Sequence, residues 1–316
     1  MIDAEHVVEA FRLRGFAQIN MPKDLDNRLL ELAQRFYAKP LEERLSTAAF
    51  LSPGILGYYP SETEARTILD VYGVSAPVFD GQRARGYCSY DFIANQRVLE
   101  STELFGANRW PAEEGFQSEA CALYESVSNL MRDACQSVLG LLEACGKRAE
   151  GSGDLFGDNC CSIMRLLKYT KAIVEAESKA HTDYEFISLI KADDQGLEVR
   201  SPSGAWEMVP CSVGKAVIIP GDMIEIFSDG WIRSAVHRVR FGAKDRLATI
   251  FFQGLELEHE IGYVLRGERV VSTFGKHLCG MLVRGAPHLR SALEAWEKRL
   301  GGRIPEKNPF RSGKDG

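Results

Sequence analysis

The alternation of apolar and polar positions divides the chain into a helical front and a β-rich back. Residues 4–14 place Val7, Val8, Phe11 and Leu13 at helical spacing and predict a short amphipathic helix ending near Gly15. Phe16-Ala17-Gln18-Ile19 then alternates as a strand does. A second helix is predicted from about Leu25 to Tyr37, with Leu29, Leu30, Leu32 and Phe36 apolar. It stops before Pro40, whose ring disfavours helical geometry in the preceding residue. Residues 51–115 mix Gly, Pro, Tyr and Asp without a period and read as loops. From Gln117 to Gly146 apolar residues recur at helical spacing, from Ala120 and Leu123 to Leu141 and Leu142, and predict one long helix.

Beyond Gly151 the period shortens. Strands are predicted at 162–169, 184–191, 196–200, 206–209, 215–219, 223–227, 234–240 and 246–253, punctuated by turn signals such as Ser201-Pro202-Ser203-Gly204 and Pro220-Gly221-Asp222. Short strands at that spacing imply a sandwich or barrel and no parallel α/β sheet. A last helix is predicted over about His288 to Leu300, followed by a polar tail. No Pro/Gly/Ser-rich linker intervenes, so one unit is expected: a helical cover over 1–150, a β core over 151–285, and a C-terminal helix and tail over 286–316.

Composition narrows the function classes. The 316 residues are 26% charged and 45% hydrophobic, as in ordinary globular chains, and the formal net charge of -6 comes with scattered Lys and Arg, which argues against a nucleic-acid partner. The acidic start lacks the basic-then-apolar pattern of a secretory signal, and no stretch approaches the ~20 apolar residues of a membrane span, so the expected location is cytoplasmic, without a membrane partner. The eight cysteines include no C-x-x-C pair, and reduced thiols are expected.

The candidate chemistry lies in His181-Thr182-Asp183 and in His237 of Ser234-Ala235-Val236-His237-Arg238-Val239. Residues two apart on a strand share a face, so His181 and Asp183 can serve one ion, with His237 brought in from a later strand. Two imidazoles and one carboxylate with open positions suit non-haem iron(II), whereas thiolates would suggest zinc and an all-oxygen set magnesium or calcium. Spacing alone leaves open a surface histidine beside a turn aspartate.

With further motifs the sequence resembles the iron(II)/2-oxoglutarate-dependent oxygenases of the isopenicillin N synthase-like branch. Gly15-Phe16-Ala17-Gln18-Ile19 is similar to the family's early strand, and Asn108-Arg109-Trp110-Pro111 to its turn before a long helix. Gly196-Leu197-Glu198-Val199, Trp206 and Pro220-Gly221-Asp222 follow in family order, as does Asp229-Gly230 through Ser234 to His237-Arg238-Val239. The resemblance implies a mainly β fold: a double-stranded β-helix, or jelly roll, with N-terminal α-helices and a C-terminal helix.

It also implies roles. His181, Asp183 and His237 would bind Fe(2+) and be the catalytic set. Arg246 would hold the distal carboxylate of the cosubstrate 2-oxoglutarate with help from Tyr169, and O2 would be the oxidant. The family's Arg-x-Ser becomes Arg246-Leu247-Ala248, and its Arg-Leu-Asn-Tyr-Tyr-Pro strand becomes Arg165-Leu166-Leu167-Lys168-Tyr169-Thr170, departures similar to those of the ethylene-forming enzyme type. Arg165, Tyr184, Glu185 and Phe252 are the candidate substrate contacts. Glu185 stands where the family frequently has glycine. It would share the face of Asp183 on a regular strand and turn to solvent if the chain bends; Arg165 could equally pair with an acidic neighbour in the sheet. Tyr58, Tyr59, Asp70, Tyr72, Phe274 and Leu278 lie in the segments expected to choose the substrate.

The expected activity is oxidation of an unactivated C–H bond of a small molecule, an amino acid or specialised metabolite, by hydroxylation, desaturation or cyclisation, with release of succinate and CO2. The alternatives are an iron oxidase that does not use 2-oxoglutarate, left open by Leu167 and Ala248, and a non-catalytic ligand-binding protein on the same scaffold.

Overall fold

In a computed structural model of the chain, residues 2–51, 54–65, 67, 86–101, 105–147, 155–171, 177–265 and 268–285 are described. The first helix spans Ala4–Arg14: the Asp3 side chain accepts the His6 N–H (3.1 Å), and Gly15 closes the helix at φ 78°. Helices Lys23–Ala38 and Phe116–Ala144 follow the predicted apolar stripes, with Leu29, Leu32 and Phe36 of one and Leu123, Val127 and Met131 of the other fully buried.

The strands are β1 (Ala17–Asn20), β2 (Gly57–Tyr59), β3 (Tyr87–Phe92), β4 (Ile163–Tyr169), β5 (Ile187–Ala192), β6 (Leu197–Arg200), β7 (Trp206–Met208), β8 (Lys215–Pro220), β9 (His237–Val239), β10 (Arg246–Gln253), β11 (Glu260–Leu265) and β12 (Glu268–Thr273). Seven form one antiparallel sheet in the order β1-β8-β5-β10-β4-β3-β2; β7-β6-β9 form a second, and β11-β12 a hairpin. Alternation along β10 assigns its two faces. Thr249 and Phe251 point to the helices, the Thr249 hydroxyl donating to the Leu29 carbonyl (2.8 Å) and Phe251 meeting the Tyr124 ring edge-on. Ala248, Ile250 and Phe252 point the other way and line a cavity shared with Leu197, His237 and Val239 of the small sheet. The core is therefore layered: helices on the outer face of the large sheet, and the two sheets facing each other across a second apolar cluster.

Several elements differ from the sequence reading. Residues 223–227, read as a strand, belong to the helix Asp222–Phe227. Four of its six residues are buried apolar side chains, and so short an apolar run has no period that separates strand from helix. The stretch read as loops holds β2, β3 and the helix Gln96–Ser101; β3 is buried on both faces, which removes the alternation that marks a strand. Strands β1, β2 and β3 thus bring residues from the first 92 into the large sheet. The β11-β12 hairpin and the helix Phe274–Gly285 have no counterpart in the sequence reading, and the helix predicted at 288–300 lies outside the described residues. Among the described residues no helix is long and apolar enough to cross a membrane.

One ion pair is buried in this framework. Lys191 of β5 and Asp26 of the Lys23–Ala38 helix are each 4% exposed and in direct contact; Asp26 also accepts the Gly214 N–H (2.9 Å), and Lys191 donates to the Lys215 carbonyl (3.2 Å). Removing one partner strands a buried charge. Asp26→Ala is expected to cost about 3–5 kcal/mol in urea unfolding, and the double replacement Asp26→Leu/Lys191→Met less than Asp26→Ala alone. A double replacement as damaging as the single one would contradict this account of the pair.

Candidate metal centre and cosubstrate cavity

The site begins with a backbone pairing. His181 and His237 form an isolated antiparallel bridge in which each N–H donates to the other's carbonyl, at 3.0 Å and 2.8 Å. Directly opposed residues put their side chains on one face, and the ring centroids are 4.3 Å apart. The Nδ1–H of His181 donates to the Lys179 carbonyl (3.0 Å) and that of His237 to the Ala235 carbonyl (3.1 Å). With the proton fixed on Nδ1, each Nε2 carries a free lone pair. The pKa of His181 is lowered by withdrawal from solvent and then by His237, so the ring is neutral as a metal ligand must be, although 47% of its side chain is accessible at the cavity.

Asp183 completes the cluster. Its Oδ2 accepts the Ser188 hydroxyl (2.6 Å), while Oδ1 lies 3.8 Å from His181 Nε2 and 3.7 Å from His237 Nε2. Those separations fit inside the about 4.2 Å that two donors, each about 2.1 Å from one ion, can span. Three ligand atoms all lie within 4.8 Å of one another, and no other cluster of this kind occurs among the described residues. Two imidazoles and a carboxylate, with His181 open on one side, fit a divalent ion of the iron(II) type.

Arg246, first in β10, sits opposite Tyr169, last in β4, with its guanidinium 4.3 Å from the centre of the phenol ring. It is 6% exposed; Nη1 donates to the Asp194 carbonyl (3.2 Å), and Nη2 is buried without a partner. An orphaned guanidinium nitrogen costs free energy unless a ligand oxygen meets it, and a carboxylate is the matching shape. Burial pushes the Tyr169 phenol up to about 12, so it remains a donor. Leu167 and Ala248 face each other across β4 and β10 on the cavity wall and supply no polar group there. Gly196, which the sequence places only by its order among the motifs, has a structural reason. A Cβ there would lie 2.5 Å from Arg246 Nη1, and its φ of 153° disfavours other residues.

Arg165 lines the same cavity and also pairs within the sheet. Its Nε and Nη2 each contact an oxygen of Asp91 on β3 at 2.7 Å, and the guanidinium lies 5.1 Å from the Phe252 ring. Burial opposes its charge, but Asp91 outweighs burial and the pKa is raised. Phe252 is a cavity wall. Tyr184 and Glu185 lie outside that lining. The chain does bend after Asp183, yet Glu185 is only 4% exposed; its Oε2 accepts the Tyr184 N–H (3.0 Å), and burial, then Asp183, pushes its carboxyl up to about 8. Of the segments expected to choose the substrate, Tyr58, Phe274 and Leu278 are buried in the core, Tyr59 is half-buried, and Asp70 and Tyr72 lie outside the described residues.

Sequence reasoning missed Asp91 and Ser188. A Tyr87-to-Phe92 run rich in strand formers was a signal for the first, whereas a serine five residues past a metal ligand carries none.

Comparison with known proteins agrees with this geometry. Residues 160–254 match the model of the 2OG-Fe(II) oxygenase superfamily, a span that holds His181, Asp183, His237 and Arg246. The 2-oxoglutarate-Fe(II) type oxidoreductase hxnY of Emericella nidulans is 26% identical over 79% of this chain and 73% of its own length. The homoarginine-6-hydroxylase 2-ODD-C23.1 of Arabidopsis thaliana is 29% identical over 73% of this chain and 70% of its own. Among solved structures, the dioxygenase for auxin oxidation of rice superposes with a TM-score of 0.65 at 17% identity, covering 91% of this chain and 93% of its own, and shares the fold. The segment 160–254, which carries the His-Asp-His cluster within a jelly-roll core, is similar to the 2OG-Fe(II) oxygenase superfamily.

Proposed function

We propose that this protein is an iron(II)- and 2-oxoglutarate-dependent oxygenase that oxidises an unactivated C–H bond of a small molecule. The observation that carries the cosubstrate is the orphaned Nη2 of Arg246 at one end of a cavity whose wall also holds His181, Asp183 and His237. It calls for a carboxylate at that end of the cavity, which 2-oxoglutarate supplies; in an oxidase that does without 2-oxoglutarate a substrate carboxylate would have to fill the same place, and succinate formation separates the two. Curated relatives bear names such as Clavatol oxidase claD of Penicillium crustosum and Homoarginine-6-hydroxylase 2-ODD-233 of rice, which is why a small organic substrate is the class proposed here.

In this reading His181, Asp183 and His237 hold the iron, with each tautomer set by its carbonyl partner and the aspartate aimed by Ser188. Arg246 receives the distal carboxylate of 2-oxoglutarate as a two-pronged donor, and the Tyr169 phenol lies under the guanidinium. Bound iron with 2-oxoglutarate supplies O2 activation, coupled to conversion of the cosubstrate into succinate and CO2. Leu167, Ile190, Val217 and Ala248 make the surrounding wall apolar, which excludes water and strengthens the few charges inside. Arg165, held by Asp91, and Phe252 orient the substrate: the guanidinium offers donors to a carbonyl or carboxylate, and the ring offers a flat apolar face. Tyr184 and Glu185, which follow Asp183 in the bend and are absent from the cavity lining, are given no substrate contact in this reading.

The test is O2 uptake and succinate formation with Fe(II), 2-oxoglutarate and a panel of small-molecule substrates. Succinate matching O2 consumed is expected, whereas O2 uptake without succinate would move the assignment to the 2-oxoglutarate-independent oxidases. Arg246→Ala removes one member of a buried charged contact, worth about 2–5 kcal/mol, so the KM for 2-oxoglutarate should rise roughly 30-fold or more. Gly196→Ala should raise the same KM with little change for the substrate, because the new methyl collides with Arg246 Nη1. An unchanged 2-oxoglutarate KM in Gly196→Ala would show that Arg246 does not serve this carboxylate.

A further inference from the structure

Asp183 is carried by a bend, and the bend has its own support. Three consecutive N–H groups grip it: Gly221 donates to the Phe186 carbonyl (2.9 Å), Asp222 to that of Asp183 (2.9 Å) and Met223 to that of Glu185 (3.1 Å). Packing at Gly221 is so close that a Cβ would lie 2.2 Å from the Glu185 carbonyl oxygen. The direction of the Asp183 side chain therefore depends on where residues 221–223 sit.

A distant element holds those residues. The Asp222 carboxylate is fully buried and lies 3.0 Å from Nε2 of His277, itself 3% exposed, on the Phe274–Gly285 helix. The His277 ring also meets the Tyr184 ring edge-on, with centroids 6.2 Å apart, and Tyr184 is in the bend itself. The helix is docked where it starts: the Gly275 N–H donates to the Leu257 carbonyl (2.7 Å), and a Cβ on Gly275 would approach that oxygen to 2.8 Å. Buried ionisable pairs of this sort add little net stability compared with apolar packing, and their best-attested use is to select one arrangement.

We propose that His277 is a positioning residue of the metal centre: through Asp222 and Tyr184 it fixes the bend that aims Asp183 Oδ1 at the His181–His237 pair. The Phe274–Gly285 helix is thereby a working part of the metal site, although it contributes nothing to the cavity lining. The inference rests on the metal reading of the triad.

Cobalt(II) binding to the full chain, followed by calorimetry and by the cobalt d–d absorption spectrum, tests it alongside the thermal midpoint. His277→Leu fills the space without a donor, and His277→Ala gives a second variant should the first not fold. Either should weaken cobalt binding about 10-fold or more and alter the d–d bands, the scale seen for partners that orient metal ligands. His277→Gln, whose amide can still donate to Asp222, should bind cobalt within about threefold of the unmodified chain, less than the effect of losing an orienting partner. Equal cobalt affinity in His277→Leu, His277→Gln and the unmodified chain, whatever the change in thermal midpoint, would make the pair merely structural and overturn the proposal. Failure of the unmodified chain to bind cobalt would instead remove the metal reading itself, and this inference with it.

Discussion

The pair of backbone hydrogen bonds between His181 and His237 is the contact on which the rest of the structure turns. It ties the segment that leads into the large sheet to the first residue of β9 in the small sheet, closing the mouth of the sandwich at one point. Because the pairing is antiparallel and the residues are directly opposed, closure itself sets the two imidazoles side by side. A slip of one residue in that register would turn the two rings to opposite faces and break the three-residue cluster.

From that point the cavity runs between the sheets along β10, from Phe252 at the metal end to Arg246 at the other. Its wall is largely apolar, so the few charged groups act in a poorly screened medium, where each needs a partner of opposite sign. Asp183 is balanced by the need for a cation, Arg246 by the need for an anion, and Arg165 by Asp91. With apolar side chains at Leu167 and Ala248, recognition of the proposed cosubstrate is concentrated on Arg246, whose close approach to residue 196 only a glycine allows.

The helices at Lys23–Ala38 and Phe116–Ala144 were legible because one face of each is buried and the other is not, whereas β4, β5, β8 and β10, buried on both faces, were legible as short apolar runs between turn signals. Strand β3 was illegible because its buried positions include Ser89 and Asp91, which break the apolar run, and the Asp222–Phe227 helix because so short an apolar run has no period that separates helix from strand. The triad was visible as residue types, but its second layer was not. Ser188, Asp222 and His277 are ordinary polar residues far apart in sequence, brought to Asp183 only by the sheet order and by a helix that the pattern did not announce. Arg165 shows the middle case. Its two readings, cavity residue and sheet ion pair, were both open from the sequence, and the side chain is long enough to satisfy both at once.

In the proposed reading, His181, Asp183 and His237 and the unsatisfied guanidinium of Arg246, set in one cavity, hold iron(II) and a 2-oxo acid together. Anaerobic addition of iron(II) and 2-oxoglutarate to the metal-free protein, followed in visible light, addresses it directly, since a metal-to-ligand charge-transfer band requires both to be bound to each other. A saturable band that needs both components and is lost in His237→Ala is expected. No band in the unmodified chain, or an undiminished band in His237→Ala, would contradict it.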